Sequence, residues 1–474
     1  MQPTSPAPGA GPQHILESVL RHEVDLIRFL WVDHNGLTRG KAVTPDVLPS
    51  RMVSGIGLAR FRQACGLADV GEPVPGFDAV GEVRLVPDPD SFVLLPHAPG
   101  SAAMLCDLMT VEGEPWPACP RTFLRDALSA FGELEVVAAF EPEFTLCAAP
   151  PRPDGLDLFD DSLCLDNEGF EAANDFAVEL VRALRSQGIE VQGYHPEFAA
   201  GQHEMTLLHT SALRAADRFI WQKAFTKGLA RRRGTWATFT PVPYPGMRGN
   251  GNHVHLSLWR RPPGGGPSAN VFADRGDPLG LSQTGRHFVA GLLAHLPGLM
   301  ALTCASVVSY DRLRPGMWSG AYLGYGLDNR EAAIRVPSRL RGDDAGSTNI
   351  EVKACDSTAN PYLALGAMIH AGADGVLRQL DPGEPLNEDP GRLDEQALRK
   401  RGVKLLPGSL EEAVDALEAD EFLMDVLGPL RRVLYPAVKR ADIREMKQLP
   451  PQVACYRHAI RFLPYKRPAA LRSR

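Results

Sequence analysis

Residues 249–259 read GNGNHVHLSLW, a loop with little side-chain bulk that runs straight into an alternating strand, and nothing else constrains this chain as strongly. Side chains i and i+2 of a strand face the same side, so His253 and His255 point together. A second segment repeats the device with carboxylates, and two others add further acids. In AAFEPEFTL, Glu141 and Glu143 share one face of a buried strand; HPEFAAGQHEMTL adds Glu197 and Glu204; NIEVKAC adds Glu351, with Lys353 on its own side. Burying so many acids on strand faces requires compensation by cations. Mostly oxygen donors with one imidazole suit Mg²⁺ or Mn²⁺ rather than a thiolate-loving metal.

A chain of 474 residues has room for two or three domains, or for a small domain on a large catalytic one. Its formal charge of −7 argues against nucleic acid as the main partner. Arg231, Arg232 and Arg233, with Lys223 and Lys227, read as the polar side of a helix. The eight cysteines show no CxxC and no paired zinc-like spacing, so reduced, mostly buried thiols in a cytoplasmic enzyme are expected. The first 12 residues, MQPTSPAPGAGP, predict a flexible tail and not a signal peptide. The longest apolar run, 287–308, carries His295 and is interrupted by Pro297 and Gly298. Two buried helices are predicted there, not a membrane span.

Along the chain, HILESVLRHE reads as a helix and DLIRFLWVD as a strand, followed by an Asn35-Gly36 turn and a polar strand. Short strands (EVRLVP, SFVLLP, AAMLCDLM) fill 72–110, and Pro120 opens a helix. Helical patterns follow at 170–187, 211–233, 284–308 and 360–378, with the acid- and His-bearing strands between them. The end of the chain predicts helices at 394–401, 409–419, 421–435, 437–448 and 451–462, and 260–270 reads as a loop. No Walker A or Rossmann glycine signature follows a strand, so a nucleotide must be held another way.

Six ordered segments carry a resemblance over nearly the whole length: EPEF (141–144), EFAAGQHE (197–204), residues 237–258, SYDRLRPG (309–316), NREAAIRVP (329–337) and residues 351–376. The chain resembles the glutamine synthetase family. The resemblance implies an α+β fold: a flexible tail (1–12), a small N-terminal β-grasp domain (13–110), and a catalytic domain (115–474) with a curved antiparallel sheet and a helical C-terminal part. It also implies a ring-shaped homo-oligomer, a dodecamer or similar, with sites shared between neighbours. The implied reaction uses ATP to phosphorylate the γ-carboxylate of glutamate, after which an amine displaces phosphate. Two or more Mg²⁺ or Mn²⁺ ions per site are implied. Carried over by motif, Glu143, Glu197 and Glu204 would hold one ion and Glu141, His253 and Glu351 the other. Arg312, Arg330 and Arg335 would grip phosphate and the substrate carboxylate, with Lys353 near the latter. His255, Ser257 and Arg335 would line the nucleotide, and Gly249 the glutamate.

The departures from the family sit together. Where family members carry a glutamate that helps bind ammonium, RPGMWSG places Trp318, and Ser54 stands where a second acid is expected. An indole face can hold an organic ammonium and pack on alkyl carbon. The sequence therefore predicts a γ-glutamyl–amine ligase using an organic amine such as ethanolamine, similar to the γ-glutamylethanolamide type. An ammonia-using glutamine synthetase, a γ-glutamylpolyamine synthetase and a non-catalytic relative remain as alternatives. Arg248 and Asn252 also replace the usual residues around the glycine loop, and Lys353 an arginine.

Overall fold

The computed structural model describes residues 11–67, 69, 71–262 and 268–461. Most of the predicted tail, the centre of the predicted 260–270 loop and the last residue of the final predicted helix fall outside these. The chain builds two sheets. The first comprises β1 (Leu26–Val32), β2 (Thr38–Val43), β3 (Ile56–Ala59), β4 (Glu82–Pro87), β5 (Val93–Leu94) and β6 (Ser101–Met109), in the order β2-β1-β6-β4-β3 with β5 beside β6. Two helices accompany it, α1 (Pro12–Arg21) and α2 (Leu48–Ser54). The Asn35-Gly36 turn is where predicted, joining antiparallel β1 and β2, with Gly36 at φ 72. A side chain there would also meet the carbonyl oxygen of Thr358 at 2.3 Å, so the turn docks tightly on the second half of the chain.

The second sheet has eleven strands: β7 (Leu134–Cys147), β8 (Val191–Pro196), β9 (Gln202–Leu207), β10 (Thr210–Ser211), β11 (Trp236–Thr238), β12 (Asn252–Arg260), β13 (Ala269–Asn270), β14 (Tyr322–Leu327), β15 (Ala332–Val336), β16 (Ile350–Val352) and β17 (Lys404–Leu405). Its order is β17-β14-β15-β16-β12-β7-β9-β8, with β10 and β11 on β7 and β13 on β12. One pair departs from the predicted antiparallel sheet: β14 and β15 are parallel. Residues 328–331 therefore run back along the strand, starting at Asp328 with φ 50. The Asn329 side chain secures this return by accepting the N–H groups of Glu331 and Ala332 and donating to the Leu386 carbonyl.

Helices α3 (Pro120–Leu128), α4 (Asn167–Ser186), α5 (Ala212–Arg232), α6 (Gln283–Thr303), α7 (Ser309–Arg312), α8 (Pro361–Leu377), α9 (Glu395–Lys400), α10 (Leu410–Ala419), α11 (Glu421–Met446) and α12 (Pro451–Arg461) pack around this sheet. Three readings of the sequence are corrected. The apolar run forms one helix, α6, straight through Pro297. The hydrogen bond lost at proline is outweighed by close packing on α8, where a Cβ at Gly291 would meet the Ala371 carbonyl oxygen at 2.1 Å. The C-terminal helix likewise continues through Pro436 and breaks instead at Gly428, which is at φ 73 before Pro429. Lys223 is not on a solvated face: it is buried, donates to the Ser357 carbonyl at 2.8 Å, and burial lowers its ammonium to about 7. Lys227 is half-buried against the Phe239 ring, and only Arg231–Arg233 are exposed.

All eight cysteines are free thiols, seven of them buried. No described helix is long and apolar enough to cross a membrane. The core of the first sheet extends to Leu434 and Val438 of α11, so the two halves are packed together. Arg121 of α3 joins them electrostatically, 3% exposed and within 2.7–3.1 Å of Asp88 and Asp107 on one side and Asp217 of α5 on the other. Tyr362 of α8 also donates to Asp217, at 2.7 Å. Removing one member of such a buried network strands the other charges. Arg121→Ala should cost about 3–5 kcal/mol of stability, read as a shift of the denaturant midpoint; a loss within ordinary surface-mutation range would show that the network is not structural.

Candidate active site

Strand β7 lies between β12 and β9. On one edge it pairs with β12, with His253 opposite Glu141; on the other it pairs with β9, with Glu143 opposite Glu204. The same cross-strand logic continues outward. Glu351 of β16 is opposite His255 on one side and Arg335 of β15 on the other, and His195 of β8 is opposite Glu204. Directly opposed residues lie close enough to interact, so the registers of six adjacent strands assemble one charged row.

The row lines a cavity of about 540 Å³. Glu141, Glu143, Glu197, Glu204, His253 and Glu351 contribute to it, as do Gly249, Arg312, Trp318, Arg330, Arg335 and Lys353. His255 and Ser257 face a second cavity of about 250 Å³ on the other side of Glu141, which lines both. Ser54 lies at the end of α2, away from the cavity of its own chain. The glycines of the loop are required sterically. A Cβ at Gly251 would come within 2.9 Å of the Glu143 carboxylate and 3.0 Å of His253 Nε2. With hydrogen there, the Gly251 N–H donates to Glu143 Oε2 at 2.9 Å.

Two clusters of side chains could each hold a metal ion, their ligand atoms lying within 4.8 Å of one another: Glu141, His255 and Glu351, and His195, Glu197 and Glu204. These differ in one member each from the sets implied by resemblance. His253 lies 3.1 Å from Glu351 but 3.9 Å from Glu141, whereas His255 Nε2 is 3.2 Å from Glu141. Glu143 is committed elsewhere, accepting from Gln202 Nε2 at 2.6 Å as well as from Gly251. His195, whose Nε2 lies 2.9 Å from Glu197 Oε1, was missed from sequence, although HPEF places it two residues from Glu197 on the same face.

The electrostatics show how crowded the site is. Burial and the neighbouring Glu197 push Glu143 up to about 7, and burial with Glu141, Glu143 and Glu197 raises Glu204 well above the carboxylate range. Burial would raise Glu141 and Glu351 too, but nearby cations outweigh it: His255 brings Glu141 down to about 2, and Lys353 and His253 hold Glu351 well below its usual value. Lys353, 2% exposed, sits 3.4 Å from Glu351 Oε1, and Arg335 pairs with the other oxygen. Carboxylates raised by their neighbours call for a hard divalent cation, and oxygen donors with an imidazole fit Mg²⁺ or Mn²⁺.

The wall at 314–319 is organised by a residue that sequence reasoning also missed. Glu331, on the return segment between β14 and β15, is 3% exposed, and its carboxylate accepts the backbone N–H of Trp318 at 2.7 Å and of Gly316 at 3.2 Å. Trp318 is held at φ 54, a conformation that non-glycine residues rarely adopt. In the sequence, nothing separated Glu331 from a solvated acid. Its neighbour Arg330 lies over the indole, with its guanidinium carbon 5.9 Å from the ring centroid.

Comparison with known proteins identifies the family. Residues 11–116 match the glutamine synthetase N-terminal domain and residues 117–458 the glutamine synthetase catalytic domain. The γ-glutamylpolyamine synthetase GlnA3 of Streptomyces coelicolor is 34% identical over 95% of this chain and 97% of its own length. The glutamine synthetase of Halobacterium salinarum is 32% identical over 91% and 93%. Among solved structures, a glutamine synthase homologue superposes with a TM-score of 0.81 at 33% identity, covering 92% of this chain and 98% of its own. A GmaS/ADP complex gives 0.79 at 30% identity, covering 92% and 96%. The chain belongs to the glutamine synthetase family, has its fold, and is a glutamine-synthetase-like ATP-dependent ligase.

Two outcomes follow from this geometry. Without Glu331 the two amides it accepts lose their partner, so Glu331→Ala should speed hydrogen exchange at 316–318 while leaving the strands protected; unchanged exchange would mean that the loop holds itself. Glu204 is raised in the folded state, so the metal-free fold loses stability as pH rises above the ordinary carboxylate range. Glu204→Gln should therefore raise the metal-free Tm at pH 8 and shrink the further gain on adding Mg²⁺. A lower metal-free Tm with an intact Mg²⁺ response would contradict both effects.

Proposed function

We propose that the chain is a γ-glutamyl–amine ligase that takes a small organic amine, ethanolamine being the type. The observation that supports this reading is Trp318: a half-exposed indole on the cavity wall where the family resemblance calls for an ammonium-binding glutamate. The phosphoryl half of the site keeps its full complement of acids and arginines. The amine half has exchanged a carboxylate for an aromatic face, which binds an alkylammonium through cation–π attraction and packs on its carbon.

In this reading, a γ-carboxylate oxygen of glutamate attacks the terminal phosphorus of ATP and ADP leaves. The amine nitrogen then attacks the acyl carbon, phosphate departs and the nitrogen loses a proton. Glu143, Glu197 and Glu204 on one side, and Glu141, His253 and Glu351 on the other, would hold Mg²⁺ or Mn²⁺, with His195 and His255 within reach. The ions would supply positive charge to the transferring phosphoryl group. Arg312, Arg330 and Arg335 add fixed positive charge around it, which matters because the reactants are both anions. Arg312 is anchored for this, donating to the carbonyl oxygens of Lys353 and Cys355. Lys353 and Gly249 would face glutamate, and His255, Ser257 and Arg335 the nucleotide. A ring-shaped homo-oligomer in the cytoplasm belongs to the same reading, with Ser54 reaching a neighbouring subunit's cavity.

The test is phosphate release from ATP and glutamate with ethanolamine, putrescine or ammonium. The wild type should show a much higher kcat/KM with an organic amine than with ammonium. Trp318→Glu should move that ratio toward ammonium, and adding Ser54→Asp should move it further. Equal or better use of ammonium by the wild type would return the chain to the ammonia-using glutamine synthetases.

A further inference from the structure

Four side chains from four separate segments form a continuous row along the wall that carries Trp318. The Arg330 guanidinium lies over the indole. The indole meets Phe198 edge-to-face, with centroids 5.5 Å apart and planes at 89°. Phe198 in turn lies under Arg248, whose guanidinium carbon is 4.7 Å from its centroid. Phe198 directly follows Glu197, and Arg248 directly precedes Gly249, so the row spans the approach to the reacting centre. All four residues line the same cavity.

Phe198 and Trp318 are 43% and 49% exposed, more open than any other Phe, Tyr or Trp among the described residues. Two half-exposed aromatic rings, each carrying an arginine, make a surface that is apolar in body and positive at both ends. The nearby carboxylates do not offset that charge. Glu197 is engaged by His195 and by the Phe198 N–H, Asp311 is paired with Arg314 at 2.6 Å, and Glu331 is turned beneath the loop onto two backbone amides. Among the described residues, neither Arg248 nor Arg330 is ion-paired with a carboxylate.

We propose that Phe198 and Arg248 are specificity-determining residues that complete the amine-side wall with Trp318, and that this wall selects amines whose far end carries no second positive charge. The proposal rests on the reading of the chain as an organic-amine ligase. The alkyl part of the amine packs along the Trp318–Phe198 pair, and its distal group then arrives beside Arg248. A hydroxyl can accept a hydrogen bond from the guanidinium there. A second ammonium, protonated at neutral pH with a pKa of about 10.4, meets a like charge at the protein surface, where the interaction is stronger than in bulk water.

The decisive substrates are 4-amino-1-butanol and putrescine, equal in length and different only in the distal group. Steady-state kcat/KM for both, with glutamate and ATP saturating, should favour the amino alcohol in the wild type by about tenfold or more. Raising salt should narrow the gap, because part of it is screened charge repulsion. Arg248→Gln should reduce the ratio by about tenfold, and Arg248→Glu should bring it near or below one. Arg248 is exposed, so these variants retain the fold. Phe198→Leu, which keeps carbon but removes the platform under the guanidinium, should move the ratio in the same direction by less. A wild type that prefers putrescine, or a ratio that Arg248→Glu leaves unchanged, overturns the inference while leaving organic-amine ligation intact. Turnover with ammonium alone overturns the underlying reading and this inference with it.

Discussion

Five carboxylates converge on the inner face of one sheet, and holding them together against their mutual repulsion is the constraint on which the surrounding structure depends. The chain meets it in part with its own cations. Lys353 is buried beside Glu351, Arg335 stands opposite it across the strand pair, and His255 is drawn up to about 9 by Glu141 despite its burial. What remains uncompensated lies around Glu143 and Glu204, the two acids raised by their neighbours. A site that strains its own fold in this way is arranged for a cationic guest rather than for stability.

The backbone is shaped by the same demand. Strand β7 is held between β12 and β9, and Gly251 lets the loop approach Glu143 closely enough to donate to it. The parallel pairing of β14 and β15 forces a return segment past the cavity, and that segment carries Arg330 to its rim and tucks Glu331 beneath the neighbouring loop. An acid is thus present on this wall, but it acts on the backbone: it accepts the Trp318 N–H and holds that residue at positive φ, with the indole half-exposed on the cavity wall. The chemical consequence is a wall of aromatic rings capped by guanidinium groups.

Much of this was legible in the sequence. The alternation of acids and histidines at i and i+2 identified the strands and their polar face, because the two-residue period of a strand is local. Glu141 and Glu143, and Glu351 with Lys353, were read that way and line one cavity, and Trp318 stood out against an otherwise matching motif set. His195 and Glu331 were not found, because a lone histidine or acid acquires meaning only from what lies opposite it. Lys223 was misread for the same reason: its burial is set by the carbonyl of Ser357, 134 residues away.

The sequence by itself determined the strand faces and the paired acids, since each is a matter of residue type at short spacing, and its ordered motifs carried the resemblance to the family and marked Trp318 as a departure from it. Only the tertiary structure decided which histidine stands beside which acid, that a helix could run through Pro297, and that Arg330, Trp318, Phe198 and Arg248 form one row. Those outcomes depend on strand register and on packing between segments far apart in the chain. A register shift of one residue would have turned the strand-borne acids and histidines to the opposite face, and no local signal records it.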